Sequence, residues 1–372
     1  MPLKEIFCQE KAIFNLQSAF VGGKVAHSFI FAGHDGVGKF TTAKEFAKLL
    51  LCKNPEERGD FTDSCGNCVS CRAFEAGSHP DFEHVYKELL EFTEDGKGKD
   101  TPVDFPIDVV REFLIAKVSQ KPALSARRVF VLTEAEKLNK ESQNCLLKVL
   151  EEPPAYCCII LICTRPDKLL PTIRSRCQIL RFGPVAEDKI IEKLGEFGLG
   201  YKQAKYFARL SDGSIGLACM YAKLERAEAN LYQTKTELIN ALAEFEYKDA
   251  LELADEFQRK SKSLAAAWIK LDPAVSRTDI NRKAVKTIVQ IIVGVLHDAM
   301  LDNLDSGEDI VNFDQPEQIK KIARRYNAEQ AGQKIADCFK ALHWVESSVN
   351  ERLIFESLLL NLAETDRITS EL

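Results

Sequence analysis

Apolar and polar positions follow one another along the first half of the chain in an order that predicts strands alternating with helices. The run SFIFA, at 28–32, is short and apolar and breaks at Gly33, and KFTTAKEFAKLLLC then repeats apolar residues at helical spacing. RRVFVL, KESQNCLLKVLEEPP and CCIILICT indicate strand, helix and strand, and TIRSRCQILRF adds a short helix and a last strand. This order predicts an α/β fold in which a parallel sheet carries helices on both faces.

The strand pattern stops at about Val185. The sequence EDKIIEKLGEFGLGYKQAKYFARLSDGSIGLACMYAKL predicts three short helices separated by glycines, and long amphipathic stretches such as AVKTIVQIIVGVLHDAML follow. A chain of 372 residues is too long for one ordinary core. We therefore expect an α/β domain at 1–184, a small helical module at 185–226 and an all-helical domain at 227–372.

Two segments interrupt this regular pattern. Residues 94–106, EDGKGKDTPVDFP, combine glycine, proline and charge, and they predict a surface loop. Residues 301–309, LDNLDSGED, predict an acidic connection between helices.

The overall composition argues against disorder and against a generally basic surface. Hydrophobic residues make up 45% of the chain, charged residues 28%, and the formal net charge is −6. Any contact with DNA must therefore be local or shared with partner proteins. The first residues, MPLKEIFCQEKAIFNLQSAF, lack an uninterrupted apolar core and a small-residue cleavage site, so we expect a cytoplasmic protein with no membrane contact.

The segment GHDGVGKFT, at 33–41, resembles a phosphate-binding loop and differs from the usual pattern at one position. Such a loop, between a strand and a helix, directs backbone N–H groups and the helix dipole at a phosphate, while its lysine binds the terminal phosphates. The candidate phosphate-binding residues are Gly33, Gly36, Gly38 and Lys39.

The residues that normally bind magnesium in such a site are not all present. Phe40 occupies the position of the Ser or Thr that normally binds Mg²⁺. At the end of the second strand, Thr133 occupies the position of the Asp that normally binds Mg²⁺, and Glu134 follows it as the acid that would position water. Thr41 offers a replacement hydroxyl, but one residue along a helix rotates a side chain by about 100°. The loss of two ligands predicts that ATP and Mg²⁺ binding is weak or vestigial and that hydrolysis is feeble or lost.

The chain has twelve cysteines, of which four are closely spaced in CKNPEERGDFTDSCGNCVSC. Cys52, Cys65, Cys68 and Cys71 include two interlocked C-x-x-C steps, and four thiolates can close a tetrahedral shell around Zn²⁺. A closed shell predicts a structural zinc site within an insertion at 52–80. The other cysteines lie mostly in apolar stretches and are expected to be reduced thiols.

Together these motifs resemble a known family. The incomplete phosphate loop, the cysteine insertion followed by GSHPDF, the run NCLLKVLEEPP and the motif TIRSRC resemble the delta-prime family of bacterial DNA polymerase III clamp-loader subunits. The resemblance covers residues 5 to 220 well, and the helical remainder is similar only in kind. It implies an AAA+ module with a zinc insertion, a helical lid at 185–226, and a collar domain at 227–372 that joins five subunits.

The resemblance also implies roles for single residues. Its Ser-Arg-Cys motif corresponds to Ser175, Arg176 and Cys177, and it assigns Arg176 as an arginine finger that reaches the ATP of a neighbouring subunit. Thr164 fits the first sensor position, whereas Gly216 stands where motor subunits carry an arginine that senses nucleotide.

The function expected from this resemblance is that of a largely structural clamp-loader subunit. It would work with the gamma or tau motor subunits and the delta subunit in a hetero-pentamer, within the nucleotidyltransferase holoenzyme, and help to load the sliding clamp on primer-template DNA. Two alternatives remain. The chain could be an active motor that uses Lys39, Thr41 and Glu134, or a zinc-containing single-strand DNA-binding protein, although 52–90 is acidic.

Overall fold

The computed structural model describes residues 3, 6–59, 61–93, 104–273, 275–306, 310–347 and 349–364. The described residues form two compact units. The first lies within Met1–Lys189 and Gly213–Gly216, and the second within Ile190–Asp212 and Leu217–Leu372.

A parallel sheet forms the centre of the first unit. The strands, in chain order, are β1 (Ser28–Ala32), β2 (Glu56–Arg58), β3 (Phe61–Asp63), β4 (Phe82–Val85), β5 (Arg128–Leu132), β6 (Cys157–Cys163) and β7 (Gln178–Arg181). Among the described residues, five strands pair in the order β4-β5-β6-β1-β7, and every pairing is parallel. Strands β2 and β3 form a separate antiparallel pair.

Helices cover both faces of this sheet, as the sequence predicted. They are α1 (Glu10–Val21), α2 (Lys39–Leu51), α3 (Val69–Glu75), α4 (Ile107–Val110), α5 (Ala116–Val118), α6 (Lys140–Glu151) and α7 (Pro171–Arg174). Successive side chains of a strand point to opposite faces. Accordingly, Ile30 of β1 belongs to one buried cluster with Leu146 of α6, and Phe31 belongs to another with Phe46 of α2. The predicted fold class is confirmed.

The second unit is helical. After α8 (Glu187–Gly195) come α9 (Tyr201–Leu210), α10 (Ile215–Leu224), α11 (Leu231–Glu244), α12 (Ala250–Leu271), α13 (Arg277–Asn303), α14 (Pro316–Arg325), α15 (Ala328–Glu346) and α16 (Glu351–Ala363). In this unit α13 packs against α12, α14 and α15. By length and composition alone α13 could cross a membrane, but 61% of its most apolar window is buried, which is common for a core helix.

The structure corrects the predicted connection at 301–309. Helix α13 continues to Asn303, and a turn follows at 304–305, while 307–309 lie outside the described residues. The predicted loop at 94–106 also lies mostly outside them, because the description resumes at Asp104. The division into domains at 1–184, 185–226 and 227–372 stays a prediction.

Candidate functional site

The glycine loop joins the carboxyl end of β1 to the first residue of α2, and its backbone conformation requires glycine. Gly36 and Gly38 have φ values of 73° and 101°, in the left-handed region that strains residues with a side chain. Gly33 meets a different limit, because a Cβ there would lie 2.5 Å from the carbonyl oxygen of Phe182.

A cavity of about 300 Å³ lies beside this loop. Thr133 and Thr164, which follow β5 and β6, line the cavity together with residues of the loop. Ligands of open α/β sheets commonly bind at the carboxyl ends of parallel strands. The cavity brings together most of the residues predicted to bind nucleotide: Gly36, Gly38, Lys39, Thr41, Glu134 and Thr164.

The ammonium group of Lys39 is bound by the loop itself. Its Nζ donates hydrogen bonds to the carbonyl oxygens of Gly33, at 2.7 Å, and His34, at 2.5 Å. The side chain is buried, and this burial lowers the pKa of Lys39, although nearby Asp35 and Glu136 act in the opposite direction. The ammonium has three N–H donors, so one remains for a phosphate while the two carbonyl contacts are kept.

An aromatic contact lies beside the position where a P-loop ATPase would bind magnesium. The ring of Phe40 packs against that of His84, with the two centroids 4.6 Å apart. Nε2 of His84 is 3.3 Å from Oγ1 of Thr133. Burial lowers the pKa of His84 to about 4, so the ring is neutral near pH 7. The two expected magnesium ligands are thus replaced by a phenyl ring and by a hydroxyl that already has a partner.

Glu134, the candidate acid for positioning water, is engaged by two lysines. One carboxylate oxygen pairs with Lys137, and the other lies 3.7 Å from Nζ of the buried Lys87. The backbone of Glu134 adopts φ 55°, which is uncommon for a residue with a side chain. Glu134 is thus paired with one lysine of its own segment and with one from the segment that follows β4.

Sequence reasoning missed Glu136, which lines the same cavity. Its Oε1 accepts a hydrogen bond of 2.6 Å from the hydroxyl of Thr164, and its Oε2 is buried with no hydrogen-bond partner in the part of the chain that the structure describes. His84 was missed as well, because the strand FEHV has only four residues, two of them polar, and gives little periodic signal. Only the position of Glu136, two residues after Glu134, could have drawn attention to it.

Gly216, near the start of α10, packs directly on the glycine loop. Its N–H donates a 2.8 Å hydrogen bond to the carbonyl oxygen of Gly36. A Cβ at position 216 would lie 2.9 Å from Cα of Gly36, closer than real Cβ contacts. This conformation therefore accepts only glycine at the position where the resemblance places an arginine in motor subunits.

The four clustered cysteines form a group that could hold a metal ion. The Sγ atoms of Cys52, Cys65, Cys68 and Cys71 all lie within 4.8 Å of one another. The Cys52–Cys65 and Cys65–Cys71 pairs are 3.6 and 4.0 Å apart, close to the separation of about 3.8 Å that Zn–S bonds of about 2.3 Å give in a tetrahedron.

Backbone N–H groups support this cysteine group. Those of Cys65, Cys68 and Cys71 each donate a 3.4 Å hydrogen bond to a Sγ atom of the cluster. Burial opposes ionisation of Cys68, but hydrogen bonds from the backbone of Cys71 and Lys53 prevail and lower its pKa to about 6. Burial raises the pKa of Cys71. A bound cation would allow all four thiols to ionise together, so the donor set fits a metal.

The GSHPDF motif fastens the cysteine insertion to the sheet unit. The carboxylate of Asp81 accepts backbone hydrogen bonds from Ala123, Leu124 and Ser125, at 2.6, 2.8 and 2.7 Å. Nε2 of His79 lies 2.8 Å from the hydroxyl of Ser70 in α3. Buried polar groups with partners on separate segments fix those segments together, so this motif has a structural role.

Arg176 lies in the short connection between α7 and β7, and it is not among the residues that line the loop cavity. Its Nη2 is 2.9 Å from Oε1 of Glu151, and its Nη1 donates a 2.9 Å hydrogen bond to the carbonyl oxygen of Thr172. The side chain is 35% exposed. The neighbouring Ile173 and Cys177 are buried in the sheet unit, so the backbone around Arg176 is anchored on both sides.

The parallel strand order, the helices on both faces and the glycine loop between β1 and α2 define a P-loop module of the AAA+ class. A family model described as "DNA polymerase III, delta subunit" matches residues 8–186, and the one for the C-terminal part of the delta subunit matches 273–364. Together with the similarity to delta' subunits described next, these two matches show that the chain belongs to the delta-prime family of DNA polymerase III clamp-loader subunits.

Individual relatives agree with this assignment. The chain is 37% identical to DNA polymerase III subunit delta' of Pseudomonas aeruginosa over 159 residues, which is 42% of this chain and 44% of that protein. It is 31% identical to subunit delta' of Escherichia coli over 229 residues, or 61% of this chain and 62% of that protein. The matches thus span less than two thirds of these relatives.

The chain is also similar to proteins named as tau and gamma subunits. The chain is 30% identical to subunit tau of Bacillus subtilis over 193 residues, which cover 52% of this chain and 31% of that protein. A crystal structure of a gamma subunit-related protein from Thermotoga maritima aligns with 94% of this chain and 98% of that one, at 15% identity and a TM-score of 0.44.

Proposed function

We propose that this chain is a delta-prime-type clamp-loader subunit that supplies Arg176 to the ATP site of a neighbouring motor subunit and hydrolyses little or no ATP itself. The observation that carries the proposal is the replacement of both magnesium ligands, at Phe40 and Thr133, in a chain that keeps Arg176. The chemistry of ATP hydrolysis would then take place on the neighbour.

The loop cavity supports the loss of hydrolysis. Magnesium binds oxygen ligands and bridges the β- and γ-phosphates during phosphoryl transfer. Phe40 supplies no oxygen, and the hydroxyl of Thr133, which replaces a carboxylate, lies within hydrogen-bond distance of His84. The lost sensor arginine at Gly216 agrees with this view.

The environment of Arg176 supports the finger role. A guanidinium placed against the terminal phosphate stabilises the negative charge that develops during transfer. Arg176 is partly exposed, and only one of its hydrogen-bond partners is charged. Its backbone is fixed by buried neighbours, so the side chain can be offered to another subunit in a defined direction.

The remaining roles follow from the same proposal. The partners would be gamma or tau motor subunits and a delta subunit in a hetero-pentamer, with the sliding clamp and primer-template DNA bound by the assembly in the cytoplasm. Residues 185–226 would act as the lid and 227–372 as the collar. Cys52, Cys65, Cys68 and Cys71 would hold a structural Zn²⁺.

The test of the proposal is DNA-stimulated ATP turnover by a complex of this chain with its motor subunits. Finger arginines contribute roughly 10³–10⁵ in kcat. Arg176→Ala should therefore remove at least the turnover of the one ATP site to which Arg176 is supplied. Arg181→Ala, an exposed arginine on β7, is the matched control and should leave turnover unchanged. Undiminished turnover in an intact Arg176→Ala complex would refute the finger role.

The active-motor alternative is favoured by the similarity to subunit tau and by retention of Lys39 and Glu134. It predicts magnesium-dependent ATP turnover by the purified chain that Lys39→Ala abolishes. We expect no turnover above the Lys39→Ala control. Turnover above that control would make the chain a motor.

A further inference from the structure

We infer that Glu151 is the positioning residue for Arg176, and that it holds the guanidinium in the orientation in which a neighbouring subunit receives it. The inference rests on the proposed finger function of Arg176 and adds a residue to it. Glu151 is the last residue of α6, and its Oε1 is 2.9 Å from Nη2 of Arg176.

The two anchors of Arg176 leave part of the guanidinium available. The group has five N–H donors, of which one is directed to Glu151 and one to the carbonyl oxygen of Thr172. The remaining donors can meet phosphate oxygens without any loss of the two anchors. Glu151 therefore does not compete with a phosphate for the whole guanidinium.

The position of Glu151 is unfavourable for the helix that carries it. An acidic side chain at a helix C-terminus faces the negative end of the helix dipole. A guanidinium beside it offsets this repulsion. The pairing with Arg176 thus gives a physical reason for a glutamate at the end of α6.

Helix α6 is well suited to hold the arginine because it also holds the segment before it. Gln143 of α6 accepts a 2.7 Å hydrogen bond from the N–H of Leu170, and its Nε2 donates to the carbonyl oxygen of Lys168 at 3.3 Å. Leu146 of α6 and Ile173 of α7 lie in the same buried cluster. Glu151 and Arg176 are therefore presented by elements that are fixed to one another.

The strength of the pair favours positioning over inhibition. Both side chains are partly exposed, at 35% for Arg176 and 48% for Glu151, and exposed ion pairs are weak. Such a pair could not keep a finger arginine away from a phosphate. It can still favour one orientation of the arginine severalfold before the neighbour docks, which reduces the entropy lost on docking.

The experiment is a double-mutant cycle on ATP turnover by the complex with motor subunits. Loss of one weak pair changes a rate about two- to fivefold, so Glu151→Ala should remove half to four fifths of the turnover that depends on Arg176, with KM for ATP unchanged. Glu151→Gln keeps the length and one acceptor oxygen, and it should restore part of the loss. In an Arg176→Ala background, Glu151→Ala should have no further effect.

Glu152→Ala, which removes the adjacent carboxylate, is the matched control and should leave turnover unchanged, and gel filtration should show that every variant enters the complex. An unchanged or increased turnover in Glu151→Ala, or an equal loss in the Arg176→Ala background, would overturn the positioning role. If Arg176→Ala itself has no effect on turnover, the proposed finger function of Arg176 is refuted, whatever Glu151→Ala does. The two failures are therefore distinguishable.

Discussion

Phe40, His84 and Thr133 form a continuous series of contacts at the residue scale, beside the position where a P-loop ATPase binds magnesium. Because Phe40 packs on His84 and His84 reaches Thr133, a substitution at any one of them changes the surroundings of the other two. A hydroxyl at position 40 alone would still lack a carboxylate at position 133. If hydrolysis is lost as proposed, a substitution at position 40 alone would therefore not restore the full set of magnesium ligands.

The buried His84 should make stability depend on pH. Its pKa falls from an ordinary value of about 6.5 to about 4, so between these values the unfolded chain binds a proton that the folded chain does not. The stabilisation is complete above about pH 6.5 and is lost as the pH falls toward 4. Between pH 7 and pH 5 the free energy of unfolding should decrease by about 2 kcal/mol more in the wild type than in His84→Asn.

Urea unfolding of the two proteins at both pH values measures this difference. Other groups titrate in the same range, but they are common to both proteins and cancel in the comparison. Equal losses in the wild type and in His84→Asn would show that His84 is as easily protonated in the folded chain as in the unfolded one.

A second residue-scale prediction concerns Gly216. Gly216→Ala should lower the free energy of unfolding by about 1–3 kcal/mol, because its Cβ would meet Cα of Gly36 at 2.9 Å and force the loop to move. Gly183→Ala is the control, since a Cβ there has no atom of the described residues within 4 Å. Chemical denaturation that gives the same stability for both variants would contradict the close packing at Gly216.

At the scale of elements, the cysteine insertion is a small substructure tied to the sheet by polar contacts. Helix α3 reaches α2 through the ion pair of Lys48 with Glu75, and it reaches the 123–125 segment through Ser70 and Ser125. The paired strands β2 and β3 have only three residues each. Such short elements depend on neighbouring contacts for stability, and a metal would supply the strongest of them.

The insertion should therefore lose its order without zinc. Metal analysis of the purified chain should find about one Zn²⁺ per molecule, and Cys65→Ser should lose the metal and several degrees in Tm. Cys145→Ser, which removes a cysteine of α6 outside the cluster, should keep the metal. The zinc assignment would be wrong if the purified chain contained no metal and its Tm did not change when Zn²⁺ was added.

The elements also show where the local sequence pattern is sufficient to predict a strand or the end of a helix. Strands β1, β5 and β6 are wholly buried and read as continuous apolar runs, and α6 ends just before Pro153 and Pro154. Strand β4, FEHV, was missed. It lies at the edge of the sheet and is only partly buried, so it carries polar residues and is held by pairing with β5.

At the scale of the whole molecule, the charge balance bears on the single-strand DNA-binding alternative. The formal net charge is −6, and DNA affinity depends mainly on the phosphates that basic residues neutralise. We expect the isolated chain to bind single-stranded DNA with a Kd weaker than about 10⁻⁴ M at physiological salt. Fluorescence anisotropy with a labelled oligonucleotide measures this affinity. Micromolar binding that weakens steeply with added salt would favour the DNA-binding alternative.

The sequence by itself determined the features that depend on neighbours along the chain. The glycine loop and the C-x-x-C steps are defined by spacings of a few residues, and the buried strands and long helices by periodic apolar positions. These patterns also carried the family resemblance, and the fold class and the family assignment are confirmed. The roles of Arg176 and of the four cysteines stay predictions.

Only the tertiary structure decided which distant residues meet. Phe40 reaches His84, Gly216 reaches Gly36, and Arg176 reaches Glu151 across long separations in sequence. Each contact depends on the order in which the parallel strands pair and on how the helices pack over them, and no short pattern encodes that order. For this reason the sequence could name the arginine but could not name the glutamate that pairs with it.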